Sequence, residues 1–254
     1  CGRCVEVCPQ HIGCRDLHSP DCRRCLACVE NCYTGALALA AQGARVGVLD
    51  ADIYGPSQPT IMGISEKPTS SDGERFDPVR QYGLQLMSIG FMMDSVQPLA
   101  WRAPMMTQAL MQLLQQTRWD DLDYLLIDMP PGTGDVPLTV FQSLPVDGIV
   151  VVTSPQELVS MIVGKAVKMA KMMNIPVIAL VENMSYFKCP DCGREYEIFG
   201  KSHLKKTAVE YGIEHTARLP IDPAVAAACD AGTVEEIDPA ALDPVADVLE
   251  KMIG

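Results

Sequence analysis

Short apolar runs alternate with longer amphipathic segments along most of this chain. Buried strands of a parallel sheet read as short, nearly continuous apolar runs, whereas a helix with one buried face repeats apolar residues every three or four positions. The runs predict strands over residues 45–50, 84–89, 124–128, 148–153, 176–183 and 216–219. The amphipathic segments predict helices over residues 36–42, 104–116, 158–173, 203–211, 224–231 and 239–252. Such alternation is typical of an α/β fold with a doubly wound, mostly parallel sheet.

The first 35 residues lack this alternation and hold eight of the eleven cysteines. Four of them have the spacing C-x2-C-x2-C-x3-C that wraps a cubic 4Fe-4S cluster: Cys22, Cys25, Cys28 and Cys32. An incomplete second copy precedes them at Cys1, Cys4 and Cys8. We therefore predict a small ferredoxin-like 4Fe-4S segment over residues 1–35, truncated at its start, followed by a separate α/β domain over residues 36–254.

The assignment of these cysteines to clusters follows from the shape of the motif. The first three ligands curl onto one cube, and in two-cluster ferredoxins the fourth cysteine ligates the other cluster. Cys8 then completes the later set, whereas Cys32 joins Cys1 and Cys4 at a site that is one ligand short. Cys14 is a candidate for that ligand, and a three-iron or labile cluster is the alternative. A disulfide framework suits small secreted domains, and structural zinc prefers paired knuckles with a longer insert between them.

Charge and targeting signals bear on the partners and the cellular compartment of the protein. The net charge is −12 and the isoelectric point is about 4.7. A nucleic-acid-binding protein needs a basic face, so the charge argues against nucleic acid as a partner. The sequence resembles neither a signal peptide nor a membrane span. Together with the many cysteines, this predicts a reducing cytoplasm and no membrane partner.

Carboxylates stand at the ends of two predicted strands. Asp50 and Asp52 follow the first strand, and Asp128 ends the third, shortly before the loop Gly132-Thr133-Gly134. Ligands of open α/β sheets bind outside the carboxyl ends of the strands, and an aspartate there holds Mg²⁺ in P-loop NTPases. The structural alternative is that these aspartates only cap helices.

A C-x2-C pair, Cys189 and Cys192, follows the predicted strand over residues 176–183. Two thiolates cannot complete a four-ligand site by themselves. They must find further ligands, form a redox dithiol, or share a metal across a symmetric dimer. The residues alone leave these three alternatives open.

Three sequence words, taken together and in order, resemble the Mrp/ApbC-type iron-sulfur cluster carrier ATPases, which are relatives of MinD and ParA. The words are Asp50-Ala51-Asp52-Ile53-Tyr54-Gly55-Pro56-Ser57, Asp128-Met129-Pro130-Pro131-Gly132-Thr133-Gly134-Asp135, and Glu182-Asn183-Met184-Ser185-Tyr186-Phe187 running into Cys189 and Cys192. The resemblance covers almost all of residues 36–254 and implies a P-loop NTPase fold of the MinD-like type.

The resemblance also implies roles for individual residues. Cys189 and Cys192 would bridge a transferable 4Fe-4S cluster between two subunits. Asp128 maps to the magnesium-side aspartate, Asp52 to the first switch near the attacked phosphate, and Asn183 to an adenine contact. The remaining expected cofactor-binding residues are Asp50, Gly132, Thr133 and Gly134. The implied cofactors are 4Fe-4S clusters, ATP and Mg²⁺.

One part of the family pattern is missing. A strand followed by the phosphate loop K-G-G-V-G-K-[ST] should precede the helix that begins near Ala36, but the cysteine-rich segment occupies that place. Gly200-Lys201-Ser202 lacks the first glycine of such a loop, and Gly164-Lys165 is followed by an alanine inside a predicted helix. Without the amide nest and lysine, we expect ATP hydrolysis to be very weak or lost. The missing strand would also leave its neighbours in the sheet without partners.

These observations predict an iron-sulfur cluster carrier or assembly factor that passes a 4Fe-4S cluster to apo-proteins. The expected partners are apo iron-sulfur proteins and a second copy of the chain, with a redox partner for the N-terminal segment. Two alternatives remain open. One is a ferredoxin-like electron-transfer protein whose α/β body is a docking platform, and the other is an inactive fusion remnant.

Overall fold

A computed structural model describes residues 36, 39–40, 43–53, 55–92, 103–130, 132–234, 237 and 242–253. The predicted ferredoxin-like segment over residues 1–35 lies outside these residues. The chain divides into two compact units. The first comprises residues 1–130 and 224–240, and the second comprises residues 131–223 and 241–254. Each unit is described by itself.

The described elements alternate between strands and helices, as the sequence predicts. In chain order they are β1 (Val46–Asp50), α1 (Gln58–Ile61), β2 (Val79–Gln81), β3 (Leu84–Ser88), a 3₁₀ turn (Ile89–Phe91), α2 (Ala103–Gln116), β4 (Tyr124–Asp128), α3 (Asp135–Ser143), β5 (Ile149–Thr153), α4 (Glu157–Met172), β6 (Val177–Lys188), β7 (Glu195–Tyr196), α5 (Leu204–Tyr211), β8 (His215–Pro220), α6 (Pro223–Ala231) and α7 (Asp243–Ile253). Ala36, Leu39 and Ala40 are also helical. The α/β fold class is confirmed.

The first unit contains a four-stranded sheet in the order β2-β3-β1-β4. β1 runs parallel to both β3 and β4, and β2 is antiparallel to β3. Every residue of β1 and β3 is buried, which explains why both strands are almost continuously apolar. The register places Asp50 opposite both Ser88 and Asp128. Polar side chains are thereby collected at the carboxyl ends of the three parallel strands.

The second unit is built around β6, which pairs in parallel with β5 and β8 and antiparallel with the short β7. One face of this sheet packs against α4 and α5 in a cluster that includes Val151, Val167 and Leu180. The other face packs against α7 through Val181 and Val245. Successive side chains of a strand point to opposite faces, so Leu180 and Val181 serve different helix layers. Helices therefore cover both faces of this sheet, as a doubly wound arrangement requires.

Two features differ from the sequence prediction. The described strands form two sheets, not one. Among the described strands, β4 pairs only with β1, and β5 pairs only with β6. β6 also continues to Lys188, five residues past the predicted end at Asn183. In this extension only Ser185 is buried, and the other residues are partly or fully exposed as the strand enters the hairpin.

No helix in the described part of the chain is both long enough and apolar enough to cross a membrane.

Candidate functional site

The first candidate site lies at the carboxyl end of the sheet in the first unit, around Asp50. This side chain is completely buried. Its Oδ2 accepts hydrogen bonds from the Ser88 hydroxyl at 2.9 Å and from the backbone N–H of Gln58 at 3.2 Å. Its Oδ1 accepts the backbone N–H of Asp52 at 3.2 Å. Asp50 therefore joins the ends of β1 and β3 to the start of α1.

Gln58 links the two strand-end carboxyls to α1. Its backbone N–H donates to Asp50, and its side-chain Nε2 donates to Oδ2 of Asp128 at 2.7 Å. The backbone N–H of Ala51 donates to the Asp128 carbonyl at 2.8 Å. Sequence analysis did not assign Gln58 or Ser88 to the site, because amide and hydroxyl side chains carry no motif of their own there. Their positions are decided by sheet register and by the turn before α1.

Burial changes the acid chemistry of Asp50. It raises the pKa of the carboxyl from 3.8 to about 6, with a smaller contribution from the Asp128 charge. The hydrogen bonds from Ser88, Gln58 and Asp52 oppose this shift because they favour the charged form. A bound cation would favour the charged form in the same way.

The carboxyl pair of Asp50 and Asp128 suits a hard cation. Mg²⁺ prefers oxygen ligands and commonly uses one or two carboxylates together with substrate phosphates. The hydrogen bonds to these two carboxyls come from neutral groups on Gln58, Ser88 and the backbone. The two carboxyls therefore suit Mg²⁺ as ligands. The groups that donate hydrogen bonds to them carry no positive charge that could hold a phosphate.

Asp52 holds the turn that follows β1. Its Oδ1 accepts the backbone N–H of Gly55 at 3.1 Å. Asp52 is half-buried, next in the chain to the fully buried Ala51. The predicted switch residue therefore closes a side-chain-to-backbone turn of the kind that aspartates often form.

The predicted cofactor loop, Gly132, Thr133 and Gly134, belongs to the second unit and is exposed. Gly134 has extended backbone angles and is the N-cap of α3, and its carbonyl accepts the N–H of Leu138 at 3.3 Å. Asp135 stands in the first turn, where a negative charge is favourable. Sequence analysis did not predict α3, because Pro137 and the preceding glycines read as a loop; a proline in the first turn is compatible with a helix.

The second candidate site is the hairpin between β6 and β7, which carries Cys189 and Cys192. The backbone N–H of Cys189 donates to the Arg194 carbonyl at 2.9 Å, and the N–H of Gly193 donates to the Cys189 carbonyl at 2.9 Å. Gly193 has φ 68°, which lets the chain reverse immediately after Cys192. Cys192 is exposed and Cys189 is partly exposed, with no disulfide between them.

The turn prepares Cys189 as a ligand or nucleophile. The backbone N–H of Cys192, then that of Asp191, then the Cys192 side chain lower the pKa of the Cys189 thiol below its ordinary value. The thiolate is the form that binds metal. Within the described residues, no group of three or more His, Cys, Asp or Glu side chains is close enough to share a metal ion. The hairpin itself therefore supplies two thiols.

A buried polar network lies at the base of the hairpin. The Ser185 hydroxyl donates to Oε1 of Glu182 at 2.5 Å, and Nε of Arg218 donates to the Ser185 oxygen at 2.7 Å. The Arg218 guanidinium also lies 5.0 Å from the centre of the Tyr186 ring. The register between β6 and β8 shifts between Glu182 and Tyr186. The network spans this shift and joins the end of the buried strand to the base of the hairpin.

Asn183, the predicted adenine contact, lies within this irregular stretch. Its Oδ1 accepts the backbone N–H of Met184 at 2.8 Å, and Met184 has φ 53°. Asn183 is half-buried and belongs to the second unit, as do the two hairpin cysteines. The predicted ligands Cys1, Cys4, Cys8, Cys22, Cys25, Cys28 and Cys32 lie outside the described residues, as does Cys14.

Comparison with solved structures defines the class of protein. A nucleotide-binding protein of Archaeoglobus fulgidus, solved in complex with ADP, matches with a TM-score of 0.69 and 41% identity over 79% of each chain. MinD of Pyrococcus horikoshii, complexed with Mg-ADP, matches with a TM-score of 0.58 and 15% identity over 89% of this chain and 90% of its own. The second likeness shows the fold alone. The fold is that of the MinD-like P-loop NTPases.

The chain belongs to the ParA family, whose profile, described as NUBPL iron-transfer P-loop NTPase, matches residues 32–253. The match covers nearly all of the α/β part and confirms the resemblance that the three sequence words carry.

Curated relatives agree with this assignment. An iron-sulfur cluster carrier protein of Pseudomonas fragi is 50% identical over 188 residues, which are 73% of this chain and 66% of the relative. One from Escherichia coli K12 is 46% identical over 199 residues, 78% of this chain and 54% of the relative. The iron-sulfur cluster transfer protein NUBPL of Dictyostelium discoideum is 41% identical over 199 residues, 78% of this chain and 62% of the relative. The chain thus spans between about half and two thirds of the length of these relatives.

Proposed function

We propose that this chain carries a 4Fe-4S cluster on Cys189 and Cys192 and passes it to apo iron-sulfur proteins. The observation that carries the proposal is the exposed C-x2-C hairpin, in which backbone N–H groups lower the pKa of Cys189. An exposed thiolate pair both binds iron and leaves it accessible for transfer. The Pseudomonas fragi and Escherichia coli relatives are named iron-sulfur cluster carrier proteins, which supports the proposal.

The carrier state is a homodimer. A cubic cluster takes four thiolates, and one hairpin supplies two, so a second copy of the chain provides the others. Transfer then proceeds by thiolate exchange. A thiolate of the acceptor forms a new bond to iron as the bond to Cys189 or Cys192 breaks, the freed thiolate takes up a proton, and the oxidation state of the cluster is unchanged.

The nucleotide site is the second element of the proposal. In the first unit, Asp50 and Asp128 hold Mg²⁺ and Asp52 lies at the first switch, as the family resemblance implies. The loop Gly132-Thr133-Gly134 and Asn183 belong to the second unit, and their nucleotide contacts stay predictions from that resemblance. The fit of the paired carboxyls to Mg²⁺ supports this assignment. Because this sequence has no phosphate loop, ATP hydrolysis is very weak or absent.

The N-terminal cysteines form the third element. Cys22, Cys25, Cys28 and Cys8 hold one stable 4Fe-4S cluster, and Cys1, Cys4 and Cys32 are ligands of a second one. A redox partner exchanges electrons with this segment. The protein works in the cytoplasm, where the cysteines remain reduced.

Anaerobic reconstitution with iron and sulfide tests the carrier site. We use a Cys4→Ser, Cys25→Ser background, because these changes remove a ligand from each of the two proposed N-terminal clusters and so remove both from the count. The reconstituted protein should bind about half a 4Fe-4S cluster per chain and sediment as a dimer, and a further Cys189→Ser, Cys192→Ser change should abolish both. The released cluster should also activate an apo-ferredoxin. An unchanged oligomeric state and iron content in the variant without hairpin cysteines would contradict the proposal.

A further inference from the structure

The segment after the cysteine hairpin presents apolar side chains to solvent. Tyr196, Ile198 and Phe199 are 45%, 60% and 41% exposed, and together they are called the apolar strip. The strip is locally ordered by hydrogen bonds from the N–H of Ile198 to the Tyr196 carbonyl and from the N–H of Gly200 to the Glu197 carbonyl. Three exposed apolar side chains within four residues mark an interaction surface more strongly than isolated ones do.

The strip begins on the same side of the hairpin as Cys189. Tyr196 pairs with Phe187 across the ladder, and the hydrogen bond from Cys189 to Arg194 continues the same register. Side chains two residues apart on a strand share a face, and opposite residues of an antiparallel pair do so as well. Consistent with this, the Arg194 guanidinium lies 5.5 Å from the centre of the Tyr196 ring. Whatever meets the Cys189 face therefore also meets Tyr196.

The charges around the strip favour a second copy of this chain as the occupant. The whole chain has a net charge of −12, so two copies repel each other over most surfaces. Residues 188–201 carry three basic and three acidic side chains and are neutral: Lys188, Arg194 and Lys201 against Asp191, Glu195 and Glu197. Under two-fold symmetry the same patch faces itself, so apolar residues meet apolar residues and the patch adds no net charge repulsion.

We propose that the apolar strip forms the contact between two copies of the chain in the cluster-bridged dimer and covers one side of the cluster. This inference rests on the proposed carrier function and adds the surface that the function uses. Three side chains cannot bury the roughly 1,000 Å² that a stable interface needs. The strip therefore strengthens a dimer that the cluster bridges, and the two chains separate once the cluster has been transferred.

The first test compares two double variants in the Cys4→Ser, Cys25→Ser background after reconstitution. Ile198→Ser, Phe199→Ser removes two side chains of the strip. Met172→Ser, Val209→Ser is the matched control, because both of those side chains are 83% exposed elsewhere in the same unit. Sedimentation velocity over a range of concentrations should show a dimer dissociation constant at least tenfold higher for the strip variant and unchanged for the control. Thermal unfolding of the cluster-free proteins should be the same for both.

A second test uses charge. Ile198→Lys and Ile198→Glu should each weaken the dimer, because like charges meet across the two-fold axis. An equimolar mixture of the two variants should dimerise more tightly than either alone. A mixture no tighter than its components would overturn the proposal.

The outcomes separate this inference from the carrier function. If the strip variant dimerises like the reference protein, the strip inference is wrong and the carrier function stands. If it dimerises normally but transfers its cluster more slowly to apo-ferredoxin, the strip belongs to the acceptor interface, which also overturns the inference. A reference protein that binds no cluster at the hairpin would remove the carrier function and this inference together.

Discussion

Asp50 shows how the burial of a single carboxyl lowers the stability of the folded protein at neutral pH. Its carboxyl lies among Ser88, Gln58 and Asp128, and burial raises its pKa from 3.8 to about 6. A raised carboxyl pKa means that the folded protein binds more protons than the unfolded chain between these two values. Stability therefore falls as the pH rises through this window and stays lower above it. The loss corresponds to about 3 kcal/mol at 1.36 kcal/mol per pKa unit.

Asp50→Asn removes this titration, so its stability relative to the unmodified chain should rise with pH. Between pH 3.5 and pH 7.5 we expect the difference in unfolding free energy to change by about 3 kcal/mol in favour of the variant. Denaturant titrations at several pH values measure this difference. Asp121→Asn is the control, since that side chain is 94% exposed, and its difference should change by less than about 1 kcal/mol. Parallel pH curves for the unmodified chain and Asp50→Asn would contradict this explanation.

Ser185 joins Glu182 to Arg218 at the base of the hairpin. It is fully buried, donates to Glu182 and accepts from Arg218. Ser185→Ala should lower the unfolding free energy by about 2 kcal/mol, because the buried Glu182 loses a donor and Arg218 loses an acceptor. Ser143→Ala, at an exposed position of α3, should change it by less than about 0.5 kcal/mol. Equal unfolding curves for the two variants would show that the network does not hold the base of the hairpin.

At the scale of elements, a close contact between two glycines fixes the segment after α1. Gly63 has φ 62°, and a Cβ there would lie 2.4 Å from the Gly232 carbonyl oxygen, just past the end of α6. A Cβ on Gly232 would lie 2.5 Å from the Gly63 Cα. Only two residues without side chains allow this approach. Because α1 carries Gln58, the contact also bears on the position of the group that joins Asp50 to Asp128.

Gly63→Ala should therefore destabilise the first unit more than a change in backbone preference alone would. Gly73→Ala is the matched control, because Gly73 has φ 75° but nothing within 4 Å of its Cβ position. The control should lose about 1 kcal/mol from the left-handed conformation, and Gly63→Ala should lose about 3 kcal/mol, because backbone must also move. Chemical denaturation measures both. A Gly63→Ala loss no larger than that of Gly73→Ala would mean that the loop relaxes freely.

At the scale of the whole molecule, nucleotide binding can be tested directly, because the phosphate-loop pattern G-x4-G-K-[ST] does not occur in this sequence. β4 pairs only with β1 among the described strands, and β5 pairs with no described strand other than β6. Asp50 and Asp128 attract Mg²⁺ but repel phosphate, and positioning by positive groups is most of the catalysis in this class of protein.

We therefore expect calorimetric titration with Mg-ATP to give a dissociation constant in the millimolar range or weaker. Losing several charge-assisted hydrogen bonds at roughly 1.5–3 kcal/mol each is enough to move a micromolar site there. A repaired chain, with a strand and a G-K-G-G-V-G-K-S loop inserted ahead of Ala36, should recover micromolar binding. Micromolar binding by the chain as it stands would mean that another segment cradles the phosphates.

The sequence by itself determined the α/β class, the main strands and the family. Buried parallel strands need continuous apolar runs, so β1 and β4 were predicted to within one residue of their observed ends. The sequence words around Asp50, Asp128 and Cys189 identified the family, because each of them is a short contiguous segment of the chain.

Tertiary structure alone decided the rest. Gln58 and Ser88 join the acidic site through register, and Arg218 supports the hairpin from a strand distant in sequence; no local pattern reports such contacts. The short strands β2 and β7 were missed because two or three residues, mostly polar, form strands only when a neighbour offers hydrogen bonds. The burial that raises the pKa of Asp50, and the exposure of Tyr196, Ile198 and Phe199, likewise depend on what the folded chain places around them.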